Sequence, residues 1–270
     1  MRLFWVLFTL AGCSPCESGG ECSVEDGDYH VMSPSGWDRV EPLPVVLHAH
    51  GVHQRPSRYL NDADLQKMVD DMMVLMVVPE GIDERWSIDH MGLEGNGRRE
   101  LLFIDQVIDD VQTRFPVQSD RIYASGFSLG ASLVYTLACE RGDVFAAATP
   151  ISGGFWEPLP ERCPAPAMPL CHIHGLEDET WPVEGRFVTE GNEEGQQASV
   201  EDDVQFWVTH NQCSPITETR SSGELTCTVW RGCAAREDVE VEYCTHPGGH
   251  QLTDEWLIRE VEWLLQYRRP

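Results

Sequence analysis

The amino-acid sequence predicts an α/β fold, in which a mostly parallel sheet carries helices on both faces. Two observations lead to this fold class. Short apolar runs typical of buried strands alternate with amphipathic segments typical of helices. Most of the runs are apolar at consecutive positions, as in parallel strands that are buried on both faces, whereas the last strand alternates at Val239, Val241 and Tyr243. A length of 270 residues suits one domain, which we expect at residues 29–270.

The predicted strands are short segments rich in apolar residues, and three of the six are followed directly by glycine or proline. In chain order they cover residues 45–47, 74–78, 121–125, 144–149, 170–173 and 239–243. The first of them runs into a glycine turn at Gly51. This spacing leaves room for a crossover helix between most successive strands, as parallel pairing requires.

The predicted helices follow from apolar residues three and four positions apart. A helix capped by Asn61 carries Leu65, Met68, Val69 and Met72 on one face. Further helices are expected at about 99–115, 129–140 and 199–210. The last helix begins after Thr253.

The charge balance excludes one class of partner. The chain has 19 basic and 45 acidic residues and a formal net charge of −26. Such a surface repels phosphate backbones and anionic lipid head groups, so nucleic acid is not expected as a partner. The sequence makes no prediction of oligomeric state.

The amino terminus resembles an export signal. Arg2 is followed by the apolar run Leu3 to Leu10 and by small residues. Residues 10–13, Leu-Ala-Gly-Cys, resemble the lipobox of bacterial lipoproteins. We predict a signal peptide at 1–12, a lipid on Cys13 and a polar tether at 13–28, and therefore a periplasmic or cell-surface protein. Contact with a membrane is expected only through that lipid. An ordinary secretory peptide and an extracellular protein are the alternative.

The ten cysteines indicate disulfides if the chain is exported. Their spacing predicts three bridges: Cys213–Cys227, Cys233–Cys244, and Cys139 with either Cys163 or Cys171. A lipid on Cys13 would leave an odd number of thiols, so one is expected to stay unpaired or to pair between chains. No pair of CxxC motifs occurs, and no metal site is predicted.

The strongest local motif is Gly-Phe-Ser-Leu-Gly at residues 126–130. It lies between a predicted strand and a predicted helix, which is the setting of a nucleophile elbow. The glycines suit a strained turn with close backbone neighbours. Ser128 is therefore the predicted nucleophile.

A nucleophilic serine needs a histidine base and an orienting carboxylate. The loop after the strand at 170–173 contains Glu177, Asp178 and Glu179, at the carboxyl end of a strand where ligands bind in open α/β sheets. His250 follows two glycines after the next strand, and His246 is the competing base. The order serine, acid, histidine is that of the α/β-hydrolase fold.

From about Pro44 to the last helix, the chain resembles the family of secreted esterases that includes polyhydroxybutyrate depolymerases, feruloyl esterases and acetylxylan esterases. The matching stretches are 46–51, 78–81, 121–128, 172–175 with Asp178, 200–202 before Phe206 and Trp207, and 248–250. One difference is Gln251-Leu252-Thr253, where Thr-Trp-Pro commonly follows the histidine in the family.

The resemblance implies specific roles. Asp178 would be the acid of the triad, and the backbone amides of Leu129 and Val52 would form the oxyanion hole. The chain would be a serine carboxylic ester hydrolase that works through an acyl-enzyme without a cofactor, on a feruloyl, acetyl-polysaccharide or hydroxyalkanoate ester. A serine peptidase on the same fold and an inactive surface binding lipoprotein are the alternatives.

The sequence leaves the role of four tryptophans open and favours a structural role for four histidines. Trp86, Trp156, Trp181 and Trp230 are expected either to line a substrate cleft or to fill the core. His48, His50, His172 and His174 lie at strand ends, where structural imidazoles are expected.

Overall fold

The computed structural model describes residues 16, 20–88, 97–190 and 193–270. Within this part of the chain, one sheet of ten strands runs through the molecule in the order β1-β2-β4-β3-β5-β6-β7-β12-β11-β10, and a separate hairpin comprises β8 and β9. The strands are β1 (Glu21–Val24), β2 (Gly27–Met32), β3 (Leu43–Ala49), β4 (Leu75–Pro79), β5 (Val117–Phe127), β6 (Ala148–Ile151), β7 (Leu170–Gly175), β8 (Phe187–Glu190), β9 (Glu193–Gln196), β10 (Thr217–Ser222), β11 (Leu225–Trp230) and β12 (Val241–His246).

The six central strands of the sheet, from β4 to β12, are parallel. Antiparallel pairs complete both edges, with β1 and β2 on one side and β11 and β10 on the other. The central strands are apolar because both of their faces are covered. This confirms the predicted α/β-hydrolase class and brings the carboxyl ends of β3, β5, β7 and β12 to one edge.

Six helices cover the two faces of the sheet within the described residues. They are α1 (Ser57–Leu60), α2 (Ala63–Met72), α3 (Glu100–Arg114), α4 (Leu129–Arg141), α5 (Val200–His210) and α6 (Asp254–Leu264). Helices α3, α4 and α5 bury their apolar residues in one core, and α1, α2 and α6 bury theirs in a second core. None of them has the length and apolar character needed to span a membrane.

The two predicted helix caps are polar side chains in the structure, but one of them lies one residue later than predicted. Thr253 caps α6, as predicted, and its hydroxyl accepts from the Trp256 amide at 3.3 Å. The cap of α2 is Asp62 rather than Asn61, because the Asp62 carboxylate accepts from the backbone amides of Asp64 and Leu65. Asn61 instead ends the short helix α1.

The prediction of a tether up to residue 28 is wrong at its carboxyl end. Strand β1 pairs with β2 from Glu21 onward, and Cys16 forms a disulfide with Cys22. The segment is polar because β1 is an edge strand in which only Cys22 is buried. Residues 1–15 and 17–19, with the predicted signal peptide and Cys13, lie outside the described residues.

Two of the three predicted disulfides are wrong. The bond Cys139–Cys163 is present as one of the two options, but Cys213 pairs with Cys233 and Cys227 pairs with Cys244. The reason is the unpredicted hairpin of β10 and β11. It places β11 beside β12, so that Cys227 and Cys244 lie directly opposite each other. Among the described cysteines, only Cys171 is unpaired, and it is buried.

Candidate active site

Ser128 occupies a strained turn between β5 and α4. Its backbone has φ of 56° and ψ of −122°, a combination that L-residues rarely adopt. The amide of Ser128 donates to the Ile151 carbonyl at 2.9 Å, which ties the turn to the end of β6. The side chain therefore projects from the carboxyl edge of the sheet, as the motif predicts.

The glycines beside Ser128 permit a very close approach of backbones. A Cβ on Gly130 would lie 2.0 Å from the Ala49 carbonyl oxygen, and one on Gly126 would lie 2.5 Å from the Gly130 oxygen. Since both neighbours are backbone atoms, no side-chain motion could relieve the clash. The Gly-x-Ser-x-Gly pattern is thus a packing requirement of this turn.

The structure brings the three predicted catalytic side chains into one hydrogen-bonded row. His250 Nε2 lies 2.8 Å from Ser128 Oγ, and His250 Nδ1 lies 2.7 Å from Asp178 Oδ2. The other carboxylate oxygen, Oδ1, accepts from the amides of Thr180 and Trp181 at 2.9 and 2.7 Å. An ionised Asp178 accepts from Nδ1–H, which leaves Nε2 free to accept the serine proton.

The loops that carry Asp178 and His250 are docked on each other. The Glu177 amide donates to the Gly248 carbonyl at 3.0 Å, and the Leu176 amide donates to the His246 carbonyl at 2.8 Å. A Cβ on Gly175 would lie 2.4 Å from the carbonyl oxygens of Gly248 and Gly249. Glycine at residue 175 therefore fixes the separation of acid and base.

The surroundings of Asp178 favour its charged form. Its side chain is fully buried, and burial alone raises the pKa of a carboxyl group. The hydrogen bonds from His250 and from the Trp181 amide outweigh this, so the pKa of Asp178 lies below its ordinary value of 3.8. The acid is thus ionised at neutral pH, as the orientation of His250 requires.

Val52 and Leu129, whose backbone amides are the predicted oxyanion-hole donors, lie near Ser128 and line the same cavity. The turn that carries Val52 is held by His50, whose Nδ1 donates to the Gly51 carbonyl at 2.8 Å while its Nε2 accepts from the Gly81 amide at 3.0 Å. His50 is therefore a structural residue, and burial lowers its pKa.

The other predicted structural histidines are also buried. Burial lowers the pKa of His48 to about 3 and that of His172 well below its ordinary value. His246, the competing base, packs on the Trp256 ring and accepts from the Gly248 amide at 3.1 Å. It does not contact Ser128 among its described contacts, so His250 is the histidine that meets the serine.

A buried hydrogen-bond chain behind Asp178 was not predicted. Because the Trp181 carbonyl can only accept, His174 Nε2 donates to it at 2.8 Å. His174 Nδ1 must then accept from His172 Nε2 at 3.0 Å, and His172 Nδ1 accepts from the Tyr135 hydroxyl at 2.8 Å. The alternation of His172 and His174 along β7 was the only sequence signal for it. This chain anchors the backbone that donates to Asp178.

A cavity of about 200 Å³ opens beside Ser128, and we call it the active-site cavity. The residues that line it are Val52, His53, Arg85, Ser128, Leu129, Trp156, Thr180, Trp181, Arg186, Val188 and Gln197. Of the four tryptophans considered, Trp156 and Trp181 line it, with ring centroids 5.5 Å apart and nearly perpendicular planes. Trp86 instead supports the His50 carbonyl, and Trp230 lies in strand β11.

The described residues include one buried group of metal-ligating atoms, formed by Cys171, Glu242 and Cys244. Cys244 is bound in its disulfide, and Glu242 accepts from Arg259 at 2.6 Å. Two of the three donors are thus engaged by the protein itself. Two other groups, made mainly of carboxylates, lie at the surface.

The site can be compared with known proteins. Residues 25–256 match the family model described as "Putative esterase". Feruloyl esterase C of Emericella nidulans is 25% identical over 249 residues, which are 88% of this chain and 82% of the relative. A bifunctional acetylxylan esterase/xylanase of Neocallimastix patriciarum is 27% identical over 56% of this chain and 21% of its own.

Solved structures have the same fold. The acetyl xylan esterase of Aspergillus awamori superimposes with a TM-score of 0.64 at 13% identity, over 91% of this chain and 98% of that one. A carboxylesterase of Bacillus cereus gives a TM-score of 0.57 at 13% identity, over 88% and 93%. With a family match over most of its length, the chain belongs to this esterase family and is a carboxylic ester hydrolase.

Proposed function

We propose that the protein is a serine esterase that works through an acyl-enzyme, with Ser128 as nucleophile, His250 as general base and Asp178 as the orienting acid. The observation that supports this best is the unbroken row of hydrogen bonds from Ser128 Oγ through His250 to Asp178. A serine hydroxyl becomes a competent nucleophile when such a base is positioned to take its proton.

In the first half of the reaction, Ser128 Oγ attacks the ester carbonyl carbon while His250 Nε2 takes the serine proton. The negative charge that develops on the carbonyl oxygen is stabilised by the amides of Leu129 and Val52. The loss of one such donor typically costs about 10²–10³-fold in turnover. His250 then gives its proton to the departing alcohol, and the acyl group stays on Ser128.

In the second half, a water molecule takes the place of the alcohol. His250 accepts a proton from the water, whose oxygen attacks the acyl carbon, and the acid is released as the proton returns to Ser128 Oγ. Asp178 remains ionised throughout and stabilises the imidazolium.

The active-site cavity supports an aromatic acyl group as the preferred substrate. Trp156 and Trp181 form two perpendicular apolar walls beside Ser128, and perpendicular or offset rings favour a third aromatic ring. A feruloyl-type ester fits this arrangement, and the relatives named feruloyl esterase support it. Acetyl-polysaccharide and hydroxyalkanoate esters, whose acyl groups are smaller, are further candidate substrates for the same cavity.

A substrate panel separates this proposal from its alternatives. We expect hydrolysis of p-nitrophenyl butyrate and methyl ferulate, slower release of acetate from acetylated xylan, and no cleavage of peptide amides. Ser128→Ala should abolish hydrolysis, whereas Ser132→Ala should not, because the buried Ser132 hydroxyl has no hydrogen-bond partner among the described residues. Peptide cleavage alone would favour the peptidase, and no turnover at all would favour the inactive binding protein.

We also propose that the protein is exported and lipid-anchored through Cys13. The four disulfides support an oxidising compartment. They account for eight of the ten cysteines, the buried Cys171 is a ninth, and the tenth is Cys13, outside the described residues. Cys13→Ala should move the protein from membrane to soluble fractions. An unmodified amino terminus by mass spectrometry would contradict the anchor.

A further inference from the structure

The active-site cavity differs in charge from the rest of the protein. Its described lining includes Arg85 and Arg186 but neither aspartate nor glutamate. The whole chain has more than twice as many acidic as basic residues. Arg186 therefore gives its part of the cavity a charge opposite in sign to that of the average surface, and such local charge selects oppositely charged ligands.

Arg186 is held in place by a two-way contact with Gln197. The backbone N–H of Gln197 donates to the backbone carbonyl of Arg186 at 2.9 Å. In the side chains, Arg186 Nε donates to Gln197 Oε1 at 3.3 Å. Gln197 itself is only 5% exposed, so it forms a firm support. This contact uses Nε. Within the described part of the chain the two terminal nitrogens of the guanidinium form no hydrogen bond, so they can serve a ligand at the edge of the cavity.

Two carboxylates close to residues of the cavity are bound to other groups. Asp178 is paired with His250, and Glu84 accepts from Arg55 Nε at 2.5 Å. At physiological salt the Debye length is about 8 Å, so surface charges farther away than this are largely screened at the cavity, whereas a direct contact with Arg186 is not.

We propose that the substrate carries a free carboxylate close to its ester bond, and that Arg186 binds this carboxylate, so that Arg186 is a specificity-determining residue. This inference rests on the proposed esterase function. The small volume of the cavity requires the carboxylate to lie within a few bonds of the scissile group. A guanidinium can pair with a carboxylate through two parallel hydrogen bonds. Monoesters of aromatic dicarboxylic acids and aromatic acyl esters on uronic-acid units combine this carboxylate with the aromatic acyl group proposed above.

The test uses two esters of the same shape. They are the p-nitrophenyl monoester of adipic acid, which ends in a carboxylate, and p-nitrophenyl adipamate, which ends in a neutral amide. We expect kcat/KM to be about tenfold higher for the carboxylate ester, as a charge-assisted hydrogen bond at an exposed site allows. Arg186→Gln should remove this preference and leave the rate on the adipamate within about twofold. Arg186→Lys should restore part of it.

The matched control is Arg162→Gln, which removes the same charge from an exposed residue that lines a different groove, beside Phe206 and His210. It should leave the preference unchanged. Equal kcat/KM values for the two esters in the wild type, or an equal loss on both in Arg186→Gln, would overturn the inference. Turnover of p-nitrophenyl butyrate, measured alongside, shows whether the esterase function itself holds. Absence of all ester turnover would refute both proposals.

Discussion

Asp178 and Glu260 are two fully buried carboxyl side chains whose surroundings give them opposite charge states. Asp178, in the loop after β7, accepts hydrogen bonds from two backbone amides and from His250. Glu260, on α6 under the sheet, accepts one bond from the Ser125 hydroxyl at 3.1 Å. Hydrogen bonds lower the pKa of Asp178, whereas burial raises that of Glu260 well above its ordinary value.

The difference shows that hydrogen-bond donors, not depth of burial, decide where this protein keeps a charge. In the loop after β7, three hydrogen-bond donors point at the Asp178 carboxylate. The negative charge that they stabilise can orient the base His250. The layer beneath the sheet offers only hydroxyl groups, and there burial favours the protonated form of the carboxyl group. A comparison of variants at the two sites therefore separates catalytic from structural effects.

Replacement of the base should have the largest effect. His250→Gln should lower kcat/KM on p-nitrophenyl butyrate by about 10⁴-fold or more, since the members of a triad act as a unit. His246→Gln is the matched control, because His246 lies four residues before His250 and packs against Trp256. This variant should lower kcat/KM by less than tenfold. A larger loss in His246→Gln than in His250→Gln would reverse the assignment of the base.

The next effect concerns the acid itself. Asp178→Asn should lower kcat by about 10³-fold, because the amide can present its N–H to His250 and favour the wrong tautomer. Glu177→Gln and Glu179→Gln change neighbouring carboxylates in the same loop and should stay within about twofold. Steady-state kinetics on one ester compares all three. Full activity of Asp178→Asn with a loss in either glutamine variant would move the acid to that residue.

At the second site we expect an effect on stability rather than on activity. The pKa of Glu260 is raised in the folded protein, so its contribution to stability is complete below the unfolded pKa and is lost as pH rises through the folded pKa. Glu260→Gln cannot ionise. Above about pH 4.5, the free energy of unfolding of this variant should increase relative to that of the wild type. The difference should change by at most about 1.4 kcal/mol per pH unit.

Urea unfolding of the two proteins between pH 5 and 9 measures this difference, and a pH-independent difference would mean that Glu260 is ionised in the folded state. Activity on p-nitrophenyl butyrate should stay within about threefold, because α6 does not line the active-site cavity.

The smallest expected effect is the acid sensitivity of Asp178. Its folded pKa is lowered, so the stability it contributes is present above the unfolded pKa and is lost as pH falls through the folded pKa. The difference in free energy of unfolding between wild type and Asp178→Asn should therefore shrink below about pH 4. A difference that grew on acidification would contradict the charge assigned to Asp178.

The sequence was sufficient for the features that depend on local pattern. The buried central strands, helices α2 to α6 and the turn around Ser128 have strong apolar periodicity or a glycine requirement, and the structure has them within a few residues of the predicted positions. The geometry of Ser128, Asp178 and His250 could also be anticipated, because chain order and strand ends place them at one edge of the sheet.

Features that depend on pairing between distant or polar segments were missed. Strand β10 is almost entirely exposed, so it has no apolar pattern, and without it the partner of Cys227 could not be identified. Strand β1, at the other edge of the sheet, was missed for the same reason, because it also lacks an apolar pattern. The support of Arg186 by Gln197 depends on the hairpin of β8 and β9, which the sequence shows only as a polar segment.

The central claim is that Ser128 is activated by His250, and labelling with a fluorophosphonate tests it most directly. Such a probe reacts quickly only with a serine whose proton a neighbouring base can take. We expect intact-mass analysis to show one adduct per chain and peptide mapping to place it on Ser128, with no adduct in Ser128→Ala and very slow labelling in His250→Gln. An adduct on a different serine, or labelling of His250→Gln at the wild-type rate, would contradict the account.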